Sequence, residues 1–410
     1  MAKINDAERK TQDHVLRLFQ SELDYEYYGN LRKQVNSNIM VDKLRAFLLK
    51  SYSAGLANRA IAELQKTAAN LQQGLYKANQ EVYSLLKYGA KVKENPEDSE
   101  TTVYFIDWEH SRNNEFAVAE EVTLREKSER RPDLVVYING IALAVIELKK
   151  STVSVSQGIR QNRSNESEHF NKPFFTTIQF EMAGSSAEGL RYGTIETHEK
   201  YYLEWRNDTV NTEAQPMDDV SLDILDKCAS LPDKLDWQLF SMFHKRRLLD
   251  LLHNFIVFDK GIKKVCRHNQ FFGIKKAQLK LNKGQGGIIW HTQGSGKTLT
   301  MVWLSKWILA NNPNARVLII TDRDELDDQM EKVYKGVDEN VVRTKSGADL
   351  ISRLNTTQDG LICSLIHKFG NRKGIDNSEK GIKKSIEKYI GELKAALPKN
   401  FKAKGDFVVF

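Results

Sequence analysis

The strongest constraint on the fold of this chain is the segment Gly286-Gly-Ile-Ile-Trp-His-Thr-Gln-Gly-Ser-Gly-Lys-Thr298. A short apolar run leads into a glycine loop, and a helical pattern follows. A loop of this kind turns its backbone N–H groups on phosphate oxygens, helped by the N-terminus of the next helix. Thr292, Gln293, Gly294, Ser295 and Gly296 would form the cradle. Lys297 would bind the β and γ phosphates of ATP, and the Thr298 hydroxyl would hold Mg²⁺. The glycines permit a close backbone approach that a side chain would block. Such a loop works only between a strand and a helix. The spacing therefore predicts a buried strand at Gly287–Trp290, a helix at Leu299–Leu309 and a second strand at Val317–Thr321. That is a βαβ unit, which belongs to a parallel sheet. In one respect the segment departs from the strict pattern, which has Gly six residues before the Lys; here that position is His291.

Neighbouring segments extend this reading. Arg267-His-Asn-Gln270 lies upstream and resembles the adenine-reading glutamine motif of superfamily 2 helicases and translocases. The amide of Gln270 can both donate to and accept from an adenine edge. Val317-Leu-Ile-Ile-Thr-Asp-Arg-Asp324 can be read as Walker B, with Asp322 on Mg²⁺. As the first strand after the loop helix, it more closely resembles motif Ia, which contacts the nucleic-acid backbone. Gly360–Phe369 resembles a later motif of the same domain. Gly405–Phe410 is another apolar strand. In that family an Asp-Glu pair immediately follows such a strand, and none follows Phe410 in this sequence. The resemblance thus implies a RecA-like parallel α/β motor domain truncated before Walker B, which binds ATP weakly and hydrolyses it poorly.

A second constellation lies in Arg131–Lys150. It reads as a hairpin turning at Asn139-Gly140, with Asp133 on one strand and Glu147-Leu-Lys149 at the end of the other. Two acids and a lysine suit a metal nuclease. Asp133 and Glu147 would hold Mg²⁺, while Lys149 would orient water and stabilise charge on the phosphate. The register decides whether this works. A two-residue Asn-Gly loop pairs residues whose numbers sum to 279 and puts the two acids on opposite faces. A three-residue loop with Gly140 left-handed gives 278 and puts them on one face as diagonal neighbours. The chemistry requires this second register, which is the expected one, or a bulge. An exposed hairpin with an ordinary cross-strand Glu–Lys pair is the plainer reading. Ala142–Ile146 is continuously apolar, however, and charges at the end of a buried strand are costly without a partner.

Elsewhere, residues 40–88 have helical periodicity, and short apolar runs begin at 102. Strands are expected at Thr102–Trp108, Phe116–Leu124, Leu134–Ile138, Ile141–Leu148, Phe174–Phe180 and Tyr201–Trp205. Residues 207–236 are polar and acidic and read as a linker, and helix returns over 237–258. The net charge of +7 divides unevenly: residues 1–259 carry −6 and residues 260–410 carry +13. Such asymmetry suggests two domains, the second meeting a polyanion. The run 260–283 has eight basic residues and no acid, which suits either a DNA-tracking strip or a solvated helical face. Three scattered cysteines exclude a disulfide scaffold. With no signal peptide and no membrane-length apolar run, a soluble cytoplasmic protein is expected.

The nuclease pattern also carries a resemblance. Pro132-Asp133, then Glu147-x-Lys149, then Gln157 resembles the PD-(D/E)xK nuclease core with its following Gln helix. The Tyr that follows that Gln four residues later in related nucleases is replaced here by Gln161. Coupled to a superfamily 2 motor, the chain is similar to the restriction (R) subunit of type I restriction–modification enzymes. The resemblance includes Gln12–Phe19, Asp107-Trp108, Gly189–Gly193 and Tyr201–Trp205. It implies catalytic roles for Asp133, Glu147, Lys149 and Gln157, with Mg²⁺ and ATP as cofactors. It also implies double-stranded DNA as substrate, methylation (M) and specificity (S) subunits as partners, and no membrane. The expected architecture is α/β: a nuclease domain at 1–235 built on a mixed sheet flanked by helices, linker helices with Gln270 at 236–283, and the motor domain at 284–410. A stand-alone helicase–nuclease of DNA repair and a catalytically silent DNA-binding fragment are the competing readings. A requirement for partner subunits separates the first of these, and Mg²⁺-dependent nicking separates the second.

Overall fold

A computed structural model of the chain describes residues 6–410, apart from 34–35, 125–130, 168–170, 207–217, 232, 322–323, 338–339, 366–400 and 402. The protein is α/β and divides into two compact units, Met1–Leu279 and Lys280–Phe410.

The first unit begins with α1 (Asp6–Arg17), β1 (Glu26–Asn30) and the helices α2 (Val41–Leu48), α3 (Ala54–Ala69) and α4 (Leu75–Tyr88). The helical reading of 40–88 is resolved into these three. In α3, Ala57, Ala60, Ile61, Leu64 and Ala68 recur at helical spacing and are buried, and the Ser53 hydroxyl caps the start by accepting from Leu56 N (3.2 Å). A small hairpin, β2 (Ala90–Val92) and β3 (Thr101–Val103), follows. The strand expected at Thr102–Trp108 stops at Val103. Beyond it, the Asp107 carboxylate accepts from Glu109 N and His110 N and closes a turn.

The central sheet has seven strands. They are β1, β4 (Phe116–Glu120), β5 (Leu134–Ile138), β6 (Ile141–Leu148), β7 (Phe180–Ser185), β8 (Gly189–Gly193) and β9 (Leu203–Glu204), side by side in that order. β1–β4 and β6–β7 pair in parallel and the remaining neighbours are antiparallel. Every residue of β5 and β6 is buried, Glu147 included, and the rest of both strands is apolar as such burial requires. The crossover from β6 to β7 carries α5 (Val155–Asn165), which lays Val155 and Ile159 on the sheet beside Ala183. Full burial of each such side chain contributes about 1.5–3 kcal/mol. The segment 174–180, expected as strand, contains a 3-10 turn at Lys172–Thr176 with Pro173 near its start, and the strand begins only at Phe180.

The expected linker at 207–236 contains a helix, α6 (Asp219–Cys228), and its end enters α7 (Lys234–Phe243). Next come α8 (Lys245–Asn254), the hairpin β10 (Ile256–Asp259) and β11 (Ile262–Val265), and α9 (His268–Leu281). This stretch packs with the first unit. Lys263, from the basic run, is not on a solvated strip. It is buried, and its Nζ lies within hydrogen-bond reach of Asn79 Oδ1 (2.7 Å), Gln179 Oε1 (2.6 Å) and Ile178 O (3.3 Å).

The second unit holds α10 (Lys297–Asn311), β12 (Ala315–Thr321), α11 (Asp324–Gly336), β13 (Val342–Arg343), α12 (Gly347–Leu354), β14 (Leu361–Leu365) and β15 (Asp406–Val409). Its four described strands, in the order β13-β14-β12-β15, are all parallel. The buried strand expected at Gly287–Trp290 is absent: these residues are extended coil, with Ile288 88% and Trp290 90% exposed. No described strand pairs with them, and an apolar run without a ladder partner has no reason to hold strand geometry. Asp322, Arg323 and the 366–369 end of the later motif lie outside the described residues. Among the described residues, no helix is long and apolar enough to cross a membrane.

Candidate active site

The β5–β6 hairpin decides whether the two acids meet. Asn139 (φ 51°) and Gly140 (φ 80°) are both left-handed, which makes a two-residue turn of the type that matches strand twist. A Cβ on Gly140 would lie 2.7 Å from Lys43 Cβ and 2.8 Å from Met40 O, so glycine is required there. Asn139 is buried and locked. Its amide donates to Phe105 O (2.9 Å) and Asn114 Oδ1 (2.8 Å), and its Oδ1 accepts from Glu115 N (2.8 Å). The tip therefore pairs Ile138 with Ile141 and Tyr137 with Ala142, and the three-residue loop expected from the sequence is not formed.

A bulge shifts the register instead. Between Val136 and Tyr137 the pairing slips by one, so Leu143 is the extra residue and Val136, Val135 and Leu134 face Ala144, Val145 and Ile146. Leu143 O is satisfied by Gln179 N (2.7 Å). The shifted register carries Asp133 and Glu147 to one face, directly across from each other. The backbone N–H of Leu148 donates to Asp133 Oδ2 (2.6 Å) and fixes that carboxylate.

Glu147 is fully buried, and its Oε2 has no hydrogen-bond partner. Its Oε1 receives a long contact from Asn165 Nδ2 (3.5 Å). Burial first, and then the Asp133 charge, push Glu147 well above the usual carboxylate range. Burial lifts Asp133 to about 6, against the pull of Lys149 and of Leu148 N–H. Lys149 Nζ lies 3.8 Å from Glu147 Oε2 and 3.0 Å from Glu8 Oε1. Burial lowers its affinity for a proton, but Glu147, Asp133 and Glu8 outweigh that and keep it charged. An orphaned, buried carboxylate oxygen facing a second acid is a poor resting state without a cation. The donor set, all hard oxygens, suits Mg²⁺.

Residues 6–200 match the family model described as type I restriction enzyme R protein N terminus. That match covers just under half of the chain. Residues 269–394 match the SWI2/SNF2 ATPase model. Among curated relatives, a putative type I restriction enzyme endonuclease subunit of Methanocaldococcus jannaschii is 29% identical over 86% of this chain and 35% of its own length. The HindI endonuclease subunit of Haemophilus influenzae is 27% identical over 86% of this chain and 34% of its own. A Staphylococcus aureus endonuclease subunit is 23% identical over 66% of this chain. The chain spans about a third of the length of the first two.

In this matched region, α1 supplies Glu8 and Arg9, which the sequence pattern did not single out, beside Gln12 of the Gln12–Phe19 segment. Glu8 reaches Lys149, Arg9 pairs with Glu120 (3.1 Å), and Gln12 donates to Asp133 O (3.1 Å). Glu8 and Gln12 are four apart and so share a helix face, the one available signal. His14 Nε2 stands 2.9 Å from both carboxylate oxygens of Asp236 and ties α1 to α7. His14, Asp233 and Asp236 converge as metal-type ligands would. Their hydrogen bonds already account for all three, since Asp233 Oδ1 caps Asp236 N (3.0 Å). Gln157 is exposed in the first turn of α5. From the last turn of α5, Asn165 reaches Glu147 instead. Gly158 lets the helix approach: a Cβ there would stand 3.0 Å from Ala183 Cβ and 3.4 Å from Glu147 Cβ.

In the second unit, Gly294 (φ 77°) and Gly296 (φ 85°) set the loop, and Gly296 caps α10. Lys297 Nζ donates to Thr292 O (3.1 Å) and His291 O (3.3 Å), folding over the loop it would share with phosphate. Ser295 is buried with its Oγ unpartnered, and Thr298 is half-buried in the first turn. Gln270, in the first unit, is buried, and its Oε1 accepts from Arg267 N (2.8 Å), so it caps the start of α9; Arg267 is exposed.

Proposed function

We infer that this chain provides the nuclease and the nucleotide-binding start of the motor in a type I restriction enzyme. The first unit is read as a PD-(D/E)xK nuclease whose catalytic residues are Asp133, Glu147 and Lys149. Mg²⁺ held by Asp133 and Glu147 would supply Lewis-acid stabilisation of the phosphate and a more acidic water. Lys149, kept charged by three acids, orients the attacking water and stabilises charge on the scissile phosphate of double-stranded DNA. Glu8 holds the lysine in place. Gln157 is free to reach substrate from the exposed first turn of α5. In the second unit, residues 292–298 bind ATP, with Lys297 leaving its carbonyl partners for phosphate and Thr298 facing Mg²⁺. Gln270 would read adenine after giving up its bond to Arg267 N. Methylation and specificity subunits would select the DNA.

The observation that supports this best is the Leu143 bulge, which sets two acids and a lysine on one face within an R-protein N-terminal region. The test is reconstitution of the full-length R protein. Cleavage of unmodified plasmid is expected only with ATP, Mg²⁺ and both companion subunits. Cleavage by the R protein alone would instead favour a stand-alone helicase–nuclease. No cleavage under any condition would leave a silent DNA-binding role.

A further inference from the structure

A cavity of about 880 Å³ opens at the other end of the nuclease sheet. Tyr88, Tyr104 and Trp108 line it together with Lys50, Lys87 and Arg112. Tyr88 is 63% and Tyr104 46% exposed, unusual for large rings in a concave site. The backbone turns them outward. Gly89 (φ 80°) ends α4 directly after Tyr88, and Tyr104 N donates to Tyr52 OH (3.1 Å), directing the strand exit toward the turn that follows α2. Trp108 is half-buried and stacked on His253 (centroids 4.9 Å apart, 32° between planes), with its indole N–H donating to Leu86 O (3.3 Å). Lys87 Nζ lies 5.6 Å from the centre of the Tyr88 ring.

Two acids also line the cavity, Asp107 and Glu109. The Asp107 carboxylate is spent internally, on Glu109 N (3.0 Å), His110 N (2.8 Å) and Asn113 Nδ2 (2.6 Å). Three cations against two carboxylates leave the lining with a net charge of +1 beside the exposed rings. Flat aromatic faces with interleaved cations recognise a nucleobase and its phosphate. In a duplex the base faces are covered by stacking and only edges show in the grooves, so the fit is to unpaired strand. The wall is rigidly tied to the catalytic hairpin. Asn114 joins Asp107 to Asn139 at the tip, through Asp107 N to Asn114 Oδ1 (2.9 Å) and Asn139 Nδ2 to Asn114 Oδ1 (2.8 Å). The carboxylates lie at the far end of β5, roughly 20 Å away at about 3.4 Å per residue.

We propose that this cavity is a binding site for unpaired DNA, in which bases stack on Tyr88 and Tyr104 while Lys50, Lys87 and Arg112 meet the phosphates. It stands independently of the nuclease assignment, since none of its residues belongs to the catalytic set.

The test uses the whole chain and a fluorescein-labelled ten-nucleotide oligo-dT, read by anisotropy. The double variant Tyr88→Ala/Tyr104→Ala should weaken binding by at least about tenfold, as expected for lost base stacking. Tyr88→Phe, which keeps the ring, should bind as wild type. Lys87→Ala should reduce the salt dependence of binding by about one phosphate contact. Binding of a blunt duplex should change less than about twofold in all variants, because its bases offer no faces. Both rings are exposed, so the variants should keep the wild-type melting temperature. An oligo-dT carrying 5-iododeoxyuridine should photo-crosslink to the peptides bearing Tyr88 or Tyr104. Three results would overturn the proposal. The double variant could bind oligo-dT unchanged, with crosslinks only elsewhere, which would fit a protein-docking surface. Duplex and oligo could weaken equally. Free ATP or dTMP could displace the oligo from Tyr88, marking a mononucleotide site.

Discussion

Asp133 should destabilise the metal-free protein, and replacing it by Asn should show this directly. In the fold its carboxyl sits at about 6, against an ordinary value of 3.8. The folded state therefore holds the proton more tightly than the unfolded chain. Below pH 4 both states are protonated and the group is neutral to stability. Between about pH 4 and 6 the unfolded chain ionises first, so stability falls as pH rises. Above pH 6 the full cost is present. At 1.36 kcal/mol per pH unit, the shift from 3.8 to about 6 is worth about 3 kcal/mol. Asp133→Asn keeps an oxygen to accept from Leu148 N and removes the charge. Glu147 is raised partly by the Asp133 charge, so the same substitution also relieves its neighbour. In urea unfolding with EDTA, the variant should gain about 1–3 kcal/mol at pH 7.5 and little at pH 4. Added Mg²⁺ should raise the wild-type midpoint and leave the variant unmoved. A variant that is less stable than wild type at pH 7.5, or that keeps the wild-type pH slope, would refute the reasoning.

Three further outcomes follow from the same geometry. Gly140→Ala forces a side chain into a left-handed turn and onto Met40 O, so it should lower stability by more than about 2 kcal/mol in urea unfolding; a loss below about 0.5 kcal/mol would contradict the turn. Glu8→Gln removes the charged partner of Lys149 and should slow Mg²⁺-dependent nicking by about 10- to 100-fold with no loss of melting temperature; an unchanged rate would make the contact purely structural. Lys297→Ala should weaken binding of a fluorescent ATP analogue by more than about tenfold, since a phosphate-loop lysine has no substitute; equal affinity would remove the loop from nucleotide binding.

Much of the architecture was legible because it follows from periodicity. The three helices of 41–88, the buried strands of the hairpin, and α10 with β12 each repeat their apolar residues at the spacing their structure requires. The register that brings the two acids together was legible only as a condition. Asn-Gly announces a two-residue turn, and that turn alone would separate the acids. The compensating bulge at Leu143 leaves no mark in a stretch where every residue is apolar. Glu8 was invisible for another reason. It lies 141 positions from Lys149, and its four-residue spacing from Gln12 is too common in a charged helix to single it out. The strand expected at 287–290 failed because its composition was right but its ladder partner is missing among the described residues. The charge split also misdirected. The acidic part carries the candidate phosphate chemistry, because carboxylates reach phosphate through a cation, and the most buried member of the basic run, Lys263, serves the core.

The central claim is that Asp133, Glu147 and Lys149 cut DNA. The most direct measurement is Mg²⁺-dependent nicking of supercoiled plasmid by the full-length protein with its companion subunits and ATP, wild type against Lys149→Ala. Lys149→Ala should lose nicking by at least about 100-fold, as expected when a transition-state charge partner is removed, while retaining ATP hydrolysis and the Mg²⁺-induced rise in melting temperature. Equal nicking by the two proteins would contradict the account.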